Sequence, residues 1–279
     1  MNAGTCLCAA LRYEVDLSAS QLTHCHCARC RKHHGAPFAS FVEVAQHALR
    51  WLAGEDRLAS FVYPSSRARS FCAICGSVGP SWAGDRFLVP AGNLQGDLSV
   101  AAGRHVFVAA KPAWHVIADA LPRFSGPASD WTWEEDGALA SSTEARIPGS
   151  CLCGDVTFAV SGEPERWLQC HCSRCRRARS AAHGSNTFYL VSRFAWLTGR
   201  EKVQTYRPPD AQRFATSFCT RCGGGAPVER DHVPFVLVPA ALFDADPGAR
   251  PQAHIHVASK ASWYIIADAL PQFAELPSQ

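Results

Sequence analysis

Seven cysteines at fixed spacing occur twice in this chain, and no cysteine lies outside the two sets. The first set is Cys6-x-Cys8, Cys25-His26-Cys27-x-x-Cys30 and Cys72-x-x-Cys75. The second is Cys151-x-Cys153, Cys170-His171-Cys172-x-x-Cys175 and Cys219-x-x-Cys222. Thiols at such spacings converge on one point, which suits a zinc ion.

The duplication extends beyond cysteine. Trp51 and Trp196 share the offset of the first cysteines, and Ile117-Ala118-Asp119-Ala120-Leu121-Pro122 recurs as Ile266-Ala267-Asp268-Ala269-Leu270-Pro271. A match this long makes each repeat a whole domain and not a solenoid unit. The expected organisation is a first zinc domain over 1–128, a linker over 129–147 and a second zinc domain over 148–279. The linker is acidic and then rich in Ala, Ser and Thr, with Trp131 and Trp133 expected against a domain surface.

A hydrophobic fraction of 47% can fill two cores, and a net charge of +3 is too mild to point to nucleic acid or a membrane surface. Cys6 follows Met1 closely, and no apolar run is long enough to span a bilayer. The expected compartment is a reducing cytoplasm, where thiols stay available to metal. Seven disulfides in a secreted protein is the rival reading.

Short runs rich in β-branched and aromatic residues, bounded by Gly, Pro and Ser, predict strands. They are Leu11–Val15, Phe38–Val44, Phe61–Tyr63, Phe87–Ala91 and His105–Val108, and in the second copy Val156–Val160, Thr187–Val191, Val203–Tyr206, Phe235–Pro239 and His254–Val257. One short helix per copy is expected, around Trp114–Ala120 and Trp263–Ala269. Strands without interleaved helices predict two all-β, antiparallel, zinc-stapled domains. Trp51, Trp114, Trp196 and Trp263 recur and are expected in the cores.

Four plus three is the natural division of seven thiols. A structural zinc takes four ligands, and a zinc that does chemistry keeps a position open. Cys72-x-x-Cys75 and Cys219-x-x-Cys222 are each followed by glycine, which permits a tight knuckle. Their expected partners are the Cys-x-Cys pairs. This gives closed sets of Cys6, Cys8, Cys72, Cys75 and of Cys151, Cys153, Cys219, Cys222. The remaining sets, Cys25, Cys27, Cys30 and Cys170, Cys172, Cys175, each leave a fourth position vacant. Three thiolates on Zn²⁺ make a poor Lewis acid that suits holding an incoming thiolate. Closure of that position by His26, His33, His34, His171 or His183 would make these sites structural as well, and redox use of the Cys-x-x-Cys pairs is a further alternative.

At these residues the chain resembles the glutathione-dependent formaldehyde-activating enzyme family, which includes centromere protein V-like domains. The resemblance rests on Gly4-x-Cys6-x-Cys8, Cys25-His26-Cys27-x-x-Cys30-Arg31-Lys32-x-x-Gly35-Ala36, Phe71-Cys72-x-x-Cys75-Gly76 and Trp114…Leu121-Pro122-x-Phe124. It rests equally on Gly149-x-Cys151-x-Cys153-Gly154, Cys170-His171-Cys172-x-x-Cys175-Arg176, Phe218-Cys219-x-x-Cys222-Gly223 and Trp263…Leu270-Pro271-x-Phe273. It implies a β-tent fold related to zinc ribbons, and carbon–sulfur lyase activity of the S-(hydroxymethyl)glutathione synthase type. It implies structural zinc at the four-cysteine sets and catalytic zinc at the three-cysteine sets, hence two zinc ions per domain and four per chain. The sequence departs from the pattern at Ala9, at Arg177-Ala178-Arg179-Ser180-Ala181 and in carrying the domain twice.

The expected reaction is attack of a glutathione-like thiolate on formaldehyde or another small aldehyde. Arg31, Lys32, Arg176 and Arg177 are the expected ligands of the thiol's carboxylates, with Arg29, Arg174 and Arg179 nearby. His105 and His254 are expected as hydrogen-bonded core histidines or proton shuttles, and Asp119 and Asp268 as pairing or capping groups. The expected partners are thus a small thiol and a small aldehyde, without membrane or nucleic acid, and the two domains are expected to pack as an intrachain pseudo-dimer. A non-catalytic zinc module is the alternative: a glutathione carrier, or a peptide or nucleic-acid binder.

Overall fold

The computed structural model describes residues 1–18, 20–62, 68–98, 100–128, 140–141, 146–231 and 233–277. Trp131, Trp133 and most of the expected linker lie outside the described residues. The chain is mostly β-sheet, laid out twice in the same order.

Each half opens with a three-stranded antiparallel sheet. Asn2–Thr5, Arg12–Val15 and Leu49–Ala53 form the first, and Arg146–Ser150, Thr157–Ser161 and Phe194–Thr198 the second. Along Arg12–Val15 burial alternates, so Tyr13 and Val15 enter the core while Arg12 faces solvent. Gly4 and Gly149 lie under the rings of Tyr13 and Phe158, where an added Cβ would sit about 2 Å from the ring.

A second sheet carries the Cys-His-Cys loop. Gln21–Cys25 pairs antiparallel with Ala39–Ala45, which pairs with Arg86–Pro90. Arg166–Cys170, Gly184–Leu190 and Phe235–Pro239 repeat the arrangement. The expected antiparallel pattern holds except for the short parallel pair Ala140–Ser141 with Ala245–Asp246 and one further strand per half. Ala101–Val106 runs parallel to Gln21–Cys25, and Ala253–Ile255 parallel to Arg166–Cys170. The chain crosses the sheet before adding this strand, so it arrives in the same direction as its neighbour. Finally, the hairpins Leu58–Val62 with Ala68–Cys72, and Val203–Tyr206 with Thr216–Cys219, carry the Cys-x-x-Cys knuckles.

The helices are not where the sequence predicts them. Residues 114–120 and 263–269 form turns and irregular chain. The helices are α1, Ala28–His34, and α2, Ser173–Arg179, directly after the Cys-His-Cys runs. Their N-caps are cysteines: the sulfurs of Cys27 and Cys172 accept hydrogen bonds from the amides of Cys30 and Cys175. Both helices end on a left-handed residue, Gly35 in α1 and Ser180 in α2. Ser180 tolerates that conformation while its hydroxyl donates to the Val78 carbonyl of the first half at 3.0 Å.

The segments predicted helical instead reach across to the opposite half. Trp114 belongs to the core of the second half, edge-on to Trp167 at 5.1 Å and grouped with Tyr189, Val236 and Val238. Trp263 packs against the first half's core and stacks on His24 at 6.3 Å. Tertiary burial of a large indole outweighs the weak local helix preference of these six or seven residues. The seam between the halves is completed by Phe71 against Phe218 at 6.2 Å, by the His34 ring on the Arg179 carbonyl at 2.9 Å, and by Lys32 bonded to Asp244 and Ser150. No helix among the described residues is long and apolar enough to cross a membrane.

Two outcomes follow from the seam. Trp114→Ala should cost about 3–5 kcal/mol of stability. Hydrogen exchange should then show the loss in strands Gly184–Leu190 and Phe235–Pro239, which belong to the other half of the chain. His183 is buried beside His171, Tyr264 and Phe38, and burial holds its pKa down to about 3. It folds neutral, so its contribution is full above about pH 6.5 and is lost as pH falls toward 3. Urea midpoints of His183→Phe, which installs the first half's residue, should decline less steeply over that window than those of the parent protein.

Candidate metal centres

All fourteen cysteines are free thiols, and they gather at four points. Cys6, Cys8, Cys72 and Cys75 form one cluster, and Cys151, Cys153, Cys219 and Cys222 a second. Cys25, Cys27, Cys30 and Cys170, Cys172, Cys175 form the two clusters of three. Within each, the sulfurs lie within 4.8 Å of one another. The sets are those that spacing divides into four plus three. Gly76 and Gly223 turn the knuckles with φ of 73° and 68°.

The separations fit a metal and exclude disulfides. A Zn–S bond near 2.3 Å gives a tetrahedral edge of about 3.8 Å. The sulfurs of Cys6 and Cys8 are 3.5 Å apart, those of Cys8 and Cys72 3.6 Å, and those of Cys153 and Cys219 3.9 Å. Cys25 and Cys27 stand at 3.5 Å. A disulfide would need about 2.05 Å. Backbone amides support the sulfurs: Leu11 donates to Cys6 at 3.3 Å and Val156 to Cys151 at 3.4 Å. Amides aimed at sulfur favour thiolate, the form a metal binds.

Electrostatics points the same way. Hydrogen bonds from Cys170 and Cys175 pull the Cys172 thiol down to about 2, while hydrogen bonds to Cys170 and Cys172 push Cys175 well up. One thiolate forms at its neighbours' expense. A dication held by all three sulfurs removes that conflict, because each can then be deprotonated.

The clusters hold sulfur only, so none of the histidines considered as a closing ligand joins them among the described residues. His26 turns away from the sulfurs and its Nε2 meets His105 Nδ1 at 2.9 Å. His105 Nε2 in turn lies 3.0 and 3.1 Å from the Asp119 carboxylate oxygens. The second half repeats this with His171, His254 and Asp268 at 2.8, 3.0 and 3.1 Å. Burial lowers the pKa of His26, His105 and His171. These chains of buried imidazoles fix the Cys-His-Cys backbone from behind. His34 is spent on the Arg179 carbonyl, and His183 stacks among the seam rings.

The surroundings of the two three-cysteine clusters differ. In the second half, Cys170, Cys172 and Cys175 open on a cavity of about 560 Å³. Arg174, Arg177, Arg213 and Arg230 line it with Asn186 and His256, and Phe188, Phe214 and Leu237 supply an apolar wall. Asn186 Nδ2 points at the Cys175 sulfur from 3.9 Å. In the first half, Cys25, Cys27 and Cys30 are 0%, 0% and 1% exposed, packed under Phe41, Phe107 and Ala128. Arg69 is buried with them and donates Nη1 to the Cys30 sulfur at 3.3 Å. The cavity beside Cys30 measures about 30 Å³.

Of the cations predicted to hold a ligand, Arg177 lines the large cavity. Arg176 does not, and Arg31 is fully buried with its Nε on the His26 carbonyl at 3.3 Å. Lys32 is committed to Asp244. Arg69, Asn186, Arg213, Arg230 and His256 escape a search for shared residues. Most sit where the two copies differ, and a search for those differences would have marked them.

Comparison with known proteins agrees with the cysteine pattern. A crystal structure of a Rhodobacter sphaeroides protein is 23% identical, covering 35% of this chain and 91% of its own, with a TM-score of 0.30. No curated protein sequence matches. The family described as glutathione-dependent formaldehyde-activating enzyme matches residues 1–110 and again 146–259. With both sulfur patterns inside those spans, the chain belongs to the glutathione-dependent formaldehyde-activating enzyme family, which it carries as two copies.

Proposed function

We propose that this chain is a zinc-dependent carbon–sulfur lyase of the S-(hydroxymethyl)glutathione synthase type, joining a glutathione-like thiol to formaldehyde or another small aldehyde. The observation that carries the proposal is the Cys170, Cys172, Cys175 cluster at the floor of an arginine-lined cavity. Four zinc ions per chain fit the donor sets, closed at the four-cysteine clusters and open at a three-cysteine cluster. The units are taken as 1–128 and 148–279, packed as a pseudo-symmetric pair, in a reducing cytoplasm that keeps fourteen thiols available.

Cys170, Cys172 and Cys175 would hold a zinc ion, which would supply a lowered thiol pKa, so that the added thiol would lose its proton to solvent and attack as thiolate. The chain's own residues do the rest. Arg177 and Arg213, whose side chains have no ion pair among the described residues, receive the peptide carboxylates of the thiol. Arg174 is held by Asp210 at 2.9 Å and shapes the rim. Phe188, Phe214 and Leu237 exclude water around the incoming aldehyde. The new C–S bond forms as the carbonyl π bond breaks, and the oxygen takes a proton from His256 or from water. The His171–His254–Asp268 chain keeps the cysteine loop rigid throughout.

Metal analysis of the purified chain should return close to four zinc ions. Cys172→Ser should remove one of them and abolish accelerated adduct formation, read by NMR, with the far-ultraviolet circular dichroism unchanged. Arg177→Gln should raise KM for glutathione by about 10–100-fold with kcat nearly constant, since it removes binding shared by ground and transition states. Saturable glutathione binding without any rate acceleration would instead make the chain a carrier.

A further inference from the structure

We infer that the two halves have divided their labour: the three-cysteine cluster of the second half alone takes an exogenous thiol, and that of the first half is a sealed structural site. The inference rests on the thiol-binding reading above and adds which site is used and what closes the other.

Aligned positions around the two clusters carry different side chains. Phe41 pairs with Thr23 and Pro90 as Asn186 pairs with Leu168 and Pro239, so the two side chains hold the same place in their sheets. The first half sets a phenyl ring over its cysteines, and the second an amide aimed at Cys175. Phe107 and His256 both follow the parallel strand with φ of 56°. The former is 1% exposed over the sulfurs, and the latter lines the open cavity. Arg69 and Thr216 match in the cysteine hairpin, where Arg69 faces Phe61 and Thr216 faces Tyr206. Only the arginine reaches a sulfur of its cluster.

Charge follows the same division. Three thiolates on a divalent metal leave one negative charge, which is costly to bury without a partner. In the first half the Arg69 guanidinium is that partner, inside the protein and against Cys30. Such a site is neutral, dry and, among the described residues, without room for a tripeptide, since about 30 Å³ holds roughly one water. In the second half the buried Arg179 acts on Cys175 only through space, no arginine hydrogen-bonds the sulfurs among the described residues, and the cavity admits a ligand. Lys32 and Arg177 complete the contrast. Lys32 is neutralised by Asp244, whose aligned position in the first half is Gln95, as the shared amide bonds to Pro148 and Ala3 show. Arg177 therefore meets no carboxylate there and stays available to the cavity.

The zinc-loaded full chain tests this directly. Glutathione titrated by calorimetry should bind once per chain. Two equivalent sites would overturn the division while leaving thiol binding intact, and no binding would remove both. Brief iodoacetamide treatment followed by peptide mass spectrometry should label Cys170, Cys172 and Cys175 at least tenfold faster than Cys25, Cys27 and Cys30, and glutathione should slow only the former. Equal labelling of the two clusters would overturn the inference. Arg69→Thr, which installs the second half's residue, should raise labelling at Cys25, Cys27 and Cys30 by tenfold or more. Unchanged labelling there would show that Arg69 is not the seal.

Discussion

Close-packed sulfur is the constraint on which the rest of this structure depends. Three or four thiols within 4.8 Å cannot all ionise unless a cation sits among them, and four such groups recur in one chain. Each four-sulfur group ties a loop after the first strand to a knuckle more than sixty residues later. Each three-sulfur group is local and starts a helix whose cap is one of its own sulfurs. The first kind closes the topology of a half. The second draws its sulfurs from one side only, within six residues of chain.

Around these points the fold is tied together by exchange. Each half gives its late tryptophan to the opposite core, and the strap that carries it lays His115 on His26 in the first half and Tyr264 on His171 in the second. Asp119 and Asp268 sit on those straps. The segment that crosses the seam thus also orients the histidine behind the cysteine loop of its own half. Packing between halves and geometry at the metal loops are one mechanical unit, with hydrogen bonds of 2.8–3.1 Å along its length.

Much of this was legible in the sequence. The division of cysteines into fours and threes follows from spacing, and strands such as Phe235–Pro239 stand where β-branched runs place them. Two features were not legible, each for a physical reason. Helices α1 and α2 are seven residues long and lack an apolar period, so nothing but their sulfur caps announces them. The exchanged tryptophans are invisible because a duplicated sequence offers each indole two similar destinations. Local pattern cannot tell its own core from its twin's. The arginine-lined cavity was partly legible: Arg177 stood beside the metal loop, whereas Arg213 and Arg230 reach it only through the fold.

The link from Lys32 to Asp244 has a consequence for how such a protein changes over time. In a dimer of identical subunits every contact across the axis occurs twice, and any substitution alters both copies of the site at once. Once the copies share one polypeptide, that degeneracy is lifted. A lysine can be spent on anchorage on one side while its counterpart is kept for a ligand on the other, and a ring can cover one metal loop without blinding its sister. Covalent fusion thereby allows two sister sites to diverge within one molecule.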